Sequence, residues 1–174
     1  MILEYRNTKP IVGHDVFVAD GAVVIGRVKL GDDVGIWFNS VLRGDVATIK
    51  IGNNTNIQDG SVLHITDNID LEIGNSVTVG HNSILHSCKV SDFCLIGMGS
   101  LIMDNVQIGC ESLVAAGSVL PPNKVYGERK LIRGNPAVEV RDLKKEEIDG
   151  LHLSAKHYVN RKNEYLNTDL VKKI

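Results

Sequence analysis

Aliphatic residues recur every six positions through most of the chain. Counting in steps of six, with breaks before Ile51, Ile73 and Val90, gives eighteen aliphatic anchor positions. The anchors are Val12, Val18, Val24, Leu30, Ile36, Leu42, Ile51, Ile57, Leu63, Ile73, Val79, Leu85, Val90, Ile96, Ile102, Ile108, Val114 and Leu120. Glycine follows seven of them directly, and the residue four places after an anchor is mostly small or β-branched. Neither the period of a helix nor that of a strand explains this pattern.

The six-residue period predicts a β-solenoid in which each unit forms a short strand and a turn. The anchors point inward, and each stacks on the anchor of the next coil at the strand spacing of about 4.8 Å. A single unit cannot bury its own apolar face, so stability comes from stacking. An ordinary antiparallel β-sandwich is the alternative interpretation.

The repeat resembles that of the hexapeptide-repeat proteins, which form left-handed parallel β-helices. The resemblance implies three units per coil and therefore six coils for eighteen units. Extra residues at 47–50 and 66–72 are expected to bulge out as loops. The repeat is expected to end at Pro121-Pro122, and residues 133–137 (Arg-Gly-Asn-Pro-Ala) resemble the usual exit turn of these proteins.

A different period begins near Asp142. Apolar residues there follow one face of a helix, with Asp142 as the expected N-cap and acidic residues in the first turn. The positions on this face are Ile148, Leu151, Ala155, Tyr158, Val159 and Leu166. We therefore predict a β-helix at 1–137 and, within the same structural unit, a C-terminal segment at 138–174 whose helix lies along the solenoid. Residues 167–174 are expected to fray.

Composition and charge exclude several classes of partner. The net charge of −2 and the pI near 6.3 give no basis for nucleic-acid or anionic-membrane binding. Cys88, Cys94 and Cys110 are odd in number and form no CxxC motif, which favours reduced thiols. No signal peptide or membrane-spanning run is recognisable, so a cytoplasmic location is expected.

Three units per coil place the histidines in two outward columns. Arg43, His64 and His86 each follow a leucine anchor of the third face, so they share one column. The 22 residues between His64 and His86 equal one 18-residue coil plus a four-residue insertion, which predicts that the two rings are stacked neighbours. Asp59 and His81 share a column on the second face.

The stacked pair predicts a metal site. A catalytic zinc usually has three protein ligands and a water. His81 lies at the opposite end of its own strand and corner, so it is expected to reach the His64/His86 pair of a neighbouring subunit rather than its own. Three solenoids around a threefold axis satisfy this geometry. We therefore expect a homotrimer with one divalent cation per subunit, zinc before iron or cobalt. Three polar surface histidines are the alternative.

Four segments resemble the gamma-class carbonic anhydrase family more specifically than the repeat alone. They are residues 39–45 (Asn-Ser-Val-Leu-Arg-Gly-Asp), 56–64 (Asn-Ile-Gln-Asp-Gly-Ser-Val-Leu-His), 80–86 (Gly-His-Asn-Ser-Ile-Leu-His) and 96–99 (Ile-Gly-Met-Gly). The similarity covers roughly residues 10–166.

The resemblance assigns roles to individual residues. In that family, the residues matching His64 and His86 bind the metal from one subunit, and the residue matching His81 binds it from the next. The further roles implied are catalytic contacts for Gln58, Tyr158 and Asn160, and an interface network for Arg43, Asp45 and Asp59.

The activity implied by the resemblance is the attack of a metal-bound hydroxide on carbon dioxide to give bicarbonate. Two departures predict weak activity. Val46 stands where the family's prototype has a glutamate, and the turn after His64 lacks the shuttle glutamate, leaving Asp67 as the candidate proton shuttle. Two alternatives stay open: a hexapeptide-repeat acyltransferase that uses coenzyme A, and a non-catalytic, metal-stabilised trimeric scaffold.

Overall fold

The computed structural model describes residues 1–167 and 169–171 and contains twenty strands and one helix within them. The strands are β1 (Ile2–Leu3), β2 (Ile11–Val12), β3 (Phe17–Val18), β4 (Val23–Leu30), β5 (Gly35–Ile36), β6 (Val41–Ile51), β7 (Asn56–Ile57), β8 (Val62–His64), β9 (Leu71–Ile73), β10 (Thr78–Val79), β11 (Ile84–His86), β12 (Lys89–Val90), β13 (Leu95–Ile96), β14 (Leu101–Ile102), β15 (Gln107–Ile108), β16 (Leu113–Val114), β17 (Val119–Leu120), β18 (Val125–Tyr126), β19 (Lys130–Gly134) and β20 (Ala137–Asp142). Helix α1 spans Lys145–Leu166.

The strands form a left-handed parallel β-helix with three faces. Face one contains β2, the second halves of β4 and β6, and then β9, β12, β15 and β18. Face two contains β3, β5, β7, β10, β13, β16 and β19. Face three contains β1, the first halves of β4 and β6, and then β8, β11, β14 and β17. Each face has seven strands, so the predicted solenoid is confirmed, with about seven turns rather than six.

The anchors form the core as the period predicts. Apart from Val12 and Val18 at the open N-terminal end, every anchor is at most 4% exposed. Serines enter the same interior and satisfy their hydroxyls locally: Ser40 Oγ donates to the Gln58 carbonyl at 2.8 Å, and Ser83 Oγ donates to the Gly80 carbonyl at 2.7 Å. Small polar residues are therefore compatible with an otherwise aliphatic core.

The solenoid continues past the two prolines at which its end was predicted. Tyr126 and Ile132 occupy two further anchor positions and are 6% and 0% exposed. Pro121-Pro122 lies at a corner between strands, where proline costs no ladder hydrogen bond. The exit turn then reverses the chain, and β20 pairs antiparallel with β19. This strand occupies the start of the segment at 138–174.

The two insertions differ from the predicted loops. Residues 47–50 lie inside the continuous strand β6, whose register with β4 shifts between Gly26 and Val28. Of residues 66–72, the last two belong to β9. The reason is that the insertions are not wholly polar: Ile49 and Leu71 are fully buried and extend the core.

Helix α1 begins later than predicted and packs against β3, β5, β7 and β10 of face two. Its N-cap is Lys144 rather than Asp142, because Asp142 ends β20 and pairs with Lys130. Glu147 Oε2 accepts the Lys144 backbone N–H at 2.8 Å, which closes the first turn. Within residues 1–167 and 169–171, no helix is long and apolar enough to cross a bilayer.

The C-terminal half of α1 is held by aromatic rings and a buried ion pair. The rings of Trp37 and Tyr165 meet edge to face at 5.1 Å. The Lys162 side chain is 1% exposed, and its Nζ lies 2.7 Å from Asp33 Oδ1. Helical structure ends before Asn167; of the predicted frayed segment, residues 168 and 172–174 lie outside the described part of the chain.

Candidate metal centre

His64 and His86 stand side by side on face three. They end β8 and β11, and the ladder pairs them directly, with Arg43 as the partner of His64 one coil earlier. The leucine before each histidine points into the core, so each ring points outward. His64 Nδ1 and His86 Nε2 are 3.1 Å apart, and the ring centroids are 5.2 Å apart.

A carboxylate stands behind each ring. His64 Nε2 donates to Asp45 Oδ1 at 3.0 Å, and His86 Nδ1 donates to Asp104 Oδ1. In neutral rings these bonds use the only ring protons, so two lone pairs face each other. A cation between them would relieve that repulsion. Two nitrogens on a tetrahedral zinc, at about 2.0–2.1 Å each, lie about 3.3 Å apart, so the observed pair fits the metal.

Asp45 connects this pair to the cationic residues beside it. Burial raises the pKa of the Asp45 carboxyl, but hydrogen bonds with His64 and Arg43 outweigh it and leave the pKa below its ordinary value. Arg27 also donates to the Asp45 carbonyl at 3.0 Å. Asp45 is therefore ionised at neutral pH and holds the orientation of the His64 ring.

His81 belongs to a different part of the surface. It follows β10 on face two, and its Nδ1 lies 2.9 Å from Asp59 Oδ2, so Asp59 pairs with His81 and not with Arg43. The side chain is 41% exposed. His81 lines a cleft of about 410 Å³ between face two and α1, together with Gln58 and Tyr158.

Gln58 and Tyr158 are held by a polar network under the helix. Gln58 is 5% exposed, and its Nε2 donates to Asn56 Oδ1 at 3.3 Å. Asn56 in turn donates to Thr78 Oγ1 at 3.1 Å. Burial, together with the negative charge of Asp59, raises the pKa of the Tyr158 hydroxyl, despite an opposing contact with Gln58. Tyr158 is thus a protonated donor at neutral pH.

The other predicted site residues lie further from these contacts. Asn160 is exposed on α1, and Asp67 is exposed in the turn after β8. Neither side chain forms a hydrogen bond or ion pair with another described residue.

A single chain thus brings together two of the three predicted ligands. In the part of the chain that the structure describes, no group of three or more His, Cys, Asp or Glu side chains is arranged to hold a metal ion. Burial raises the pKa of the Cys88 and Cys94 thiols to about 12, which makes them poor ligands at neutral pH. Participation of His81 from a second copy stays a prediction.

Asp104 is the contact that the sequence analysis did not identify. Leu85 pairs with Ile102, so the direct ladder neighbour of His86 is Met103. Asp104 lies one residue further, and its carboxylate reaches back to the ring. The signal in the sequence was the skipped residue after Leu85, which places Asp104 eighteen residues after His86.

Relatives of known name match most of the chain, although no family model matches it. Protein YrdA of Escherichia coli K12 is 45% identical over 170 residues, which cover 94% of this chain and 92% of that protein. Carbonic anhydrase of Geobacillus kaustophilus is 42% identical over 165 residues, covering 95% and 91%. Gamma carbonic anhydrase 2 of Arabidopsis thaliana mitochondria is 41% identical, covering 91% of this chain and 59% of that protein.

Two solved structures of the same fold belong to proteins described as transferases. A putative acetyltransferase of Bacillus cereus superimposes with a TM-score of 0.93 at 37% identity, covering 94% of this chain and 95% of that chain. A hexapeptide transferase family protein of Anaplasma phagocytophilum gives 0.91 at 39% identity, covering 94% and 97%.

Proposed function

Because the chain belongs to the gamma-class carbonic anhydrase family, we propose that it is a metal-dependent hydratase interconverting carbon dioxide and bicarbonate. The observation that carries the proposal is the His64/His86 pair, whose facing nitrogens lie 3.1 Å apart with a carboxylate behind each ring. One divalent cation per subunit, zinc before iron or cobalt, would be held by this pair and by His81 of a neighbouring copy.

The surface of face three supports a homotrimer. Its outward column beside the histidines is aliphatic along its whole length, and Val62 and Ile84 are 36% and 45% exposed. The members of this apolar stripe are Val23, Val41, Val62, Ile84, Leu101 and Val119. Continuous apolar stripes on a surface mark association sites. A second copy covering this stripe would lie next to His64 and His86.

A cation held by these histidines would lower the pKa of a water molecule there to about 7 and so supply hydroxide at neutral pH. The chain's residues orient the reaction. Asp45 and Asp104 hold the ring tautomers, and the Tyr158 hydroxyl and the Gln58 amide offer donors beside His81. Asp67 is the candidate for passing the proton to solvent. The turn after β8 contains no glutamate, so slow proton transfer and weak hydration are expected.

Hydration measured on metal-quantified protein tests this proposal. Protein prepared anaerobically and loaded with zinc, iron or cobalt is expected to bind one cation per chain and to hydrate carbon dioxide faster than buffer in stopped flow. His64→Ala is expected to lose both properties. Loaded protein that is no faster than buffer contradicts the hydratase and leaves the trimeric scaffold and the acyltransferase.

His81→Ala tests the shared site separately. It is expected to weaken metal binding and shift the trimer towards monomer in analytical ultracentrifugation, because it removes the ligand that crosses between copies. A variant that stays trimeric and fully loaded contradicts a shared site. The matched control is His157→Ala, an exposed histidine on α1.

An acyltransferase using coenzyme A is the second candidate, supported by the transferase names of the two superimposed proteins. The two candidates differ in their need for metal. Metal-free protein that transfers acetyl groups from acetyl-coenzyme A would favour the acyltransferase. A two-histidine pair with carboxylates behind both rings has no role in that chemistry and supports the hydratase.

A further inference from the structure

The cleft beside His81 is much larger than carbon dioxide needs. Its volume of about 410 Å³ falls in the range of about 300–1,000 Å³ that is typical of pockets for small organic ligands. Gln58, His81 and Tyr158 lie at one end. From there the cleft extends along face two to Ala115 and Ala116, two coils away.

The repeat makes the cleft polar at one end and apolar at the other. One outward column of face two reads Asn56, Thr78, Leu95, Leu113 in register order. The column changes from polar to aliphatic one coil beyond Thr78. At Thr78 itself, the Oγ1 atom lies 3.2 Å from Oγ of Ser154 on α1, and this contact completes the polar network.

The neighbouring column changes in the same place. Its order is Asp59, His81, Met98, Ala116, as shown by the backbone bonds between successive corners. Met98 is 57% exposed, although it lies beside the half-buried Leu95 and Leu113. Two adjacent columns thus form an apolar wall that begins directly after the polar residues.

We propose that this cleft binds the short apolar chain of an uncharged carbonyl compound, whose carbonyl oxygen lies beside Gln58, His81 and Tyr158. The proposal rests on the proposed function, because it adds a second, larger class of ligand at the same site. An acyl chain along Leu95, Met98 and Leu113 would replace water against the wall. The Tyr158 hydroxyl and the Gln58 amide are donors suited to a carbonyl.

The charge at the polar end selects against carboxylates. Asp59 Oδ2 lies 2.9 Å from His81 Nδ1, so a carboxylate side chain already borders the head-group position. A second carboxylate there would meet a like charge, whereas an amide, ester or thioester carbonyl would not.

Primary alkanamides of increasing length test the cleft on metal-free, full-length protein. Binding measured by calorimetry and NMR is expected to tighten about fourfold per methylene from propanamide upwards, until the chain outgrows the wall. Methyl signals of Leu95, Met98 and Leu113 are expected to shift. Affinity that does not depend on chain length, or shifts located elsewhere, overturns the proposal. Since no metal is present, the outcome is separate from that of hydration.

Two substitutions locate the bound chain. Ala116→Leu is expected to fill the wall and weaken hexanamide at least tenfold while leaving propanamide unchanged. Cys110→Leu is the matched control, because Cys110 also follows its anchor by two residues in the same part of the repeat but lies at another corner. It is expected to bind hexanamide as the unsubstituted protein does.

Two further measurements keep the proposal open to contradiction. Should Ala116→Leu fail to fold, Leu113→Ala is expected to weaken hexanamide about tenfold. Hexanoate is expected to bind at least tenfold more weakly than hexanamide. Equal or tighter binding of hexanoate, or unchanged binding of hexanamide to the wall variant, overturns the proposal.

Discussion

The two histidine columns follow the same repeat but have different surroundings. On face three, His64 is followed one coil later by His86, so two rings meet. On face two, His81 is followed by Met98, so one ring stands alone with Asp59. In a solenoid, each position in one coil lies next to the equivalent position of the next coil. Identical residues at two such positions therefore form a pair, and no separate loop is needed to bring them together. A third ligand has to come from another face or another copy.

The covering of the two faces differs as well. Helix α1 packs on face two, where it forms one side of the cleft at His81. Face three has no helix over it within the described residues and presents the apolar stripe beside His64 and His86. Covering a face with the chain's own helix shapes a pocket, and leaving a face bare allows contact with another copy.

Removing one ring of the pair is expected to have the largest effect. His86→Ala leaves His64 Nδ1 without its partner nitrogen. Metal affinity should therefore fall more than about 100-fold, because loss of a group that only hydrogen-bonds a ligand already costs up to about that much. Competition titration with a chelating dye measures this. His157→Ala should bind as the unsubstituted protein does. Unchanged affinity in His86→Ala would remove the pair from the metal site.

Removing the carboxylate behind a ring should have a smaller effect. Asp104→Asn keeps the shape but offers His86 a weaker acceptor, so metal affinity should fall about 10–100-fold. The same titration applies. Asp67→Asn, an exposed carboxylate in the turn after His64, is the control and should leave affinity unchanged. Equal behaviour of the two variants would mean that Asp104 does not orient the ring.

Weakening the anchor of α1 should affect face two alone. Asp33→Asn removes the charge opposite the buried Lys162 ammonium. The expected loss is about 1–2 kcal/mol in the free energy of unfolding, less than for a fully buried pair because Asp33 is 37% exposed. Urea unfolding measures it.

Asp15→Asn provides the matched control for that measurement. Asp15 occupies the same left-handed turn position one coil earlier, so asparagine is tolerated equally at both sites. It should change stability little. Loss of the His64/His86 metal site in Asp33→Asn would contradict the independence of the two faces.

The smallest effect is expected from acid at the start of α1. Hydrogen bonds from Arg141 and then from the Lys144 backbone lower the pKa of Glu147 from 4.5 to about 2. Since the folded pKa is the lower one, this stabilisation is present above pH 4.5 and is lost as the pH falls towards about 2. Helix stability should therefore decrease less between pH 6 and pH 3 in Glu147→Gln than in the unsubstituted protein. Circular dichroism in urea measures this stability. Glu146→Gln is the control, and an unchanged acid dependence in Glu147→Gln would contradict this role.

The sequence predicted the core better than the ends of elements. The anchors from Val24 to Leu120 could be placed because their burial depends only on the local period. The predicted end at Pro121-Pro122 was wrong because corners tolerate proline. The predicted N-cap at Asp142 was wrong because Lys130, twelve residues earlier, pairs with it across a hairpin. Local patterns cannot show which distant partner a polar side chain takes.

The stacking of His64 on His86 was predictable from the sequence, because equal spacing from two leucine anchors sends both rings out of the same face one coil apart. The contacts around them were not. They depend on a bulge in β6, a skipped residue after Leu85 and the packing of aromatic rings. These features decide whether Asp104 reaches His86, whether Asp45 or Asp59 pairs with Arg43, and where α1 leaves a cleft. These are differences of a few ångströms between distant segments, and only folding of the whole chain determines them.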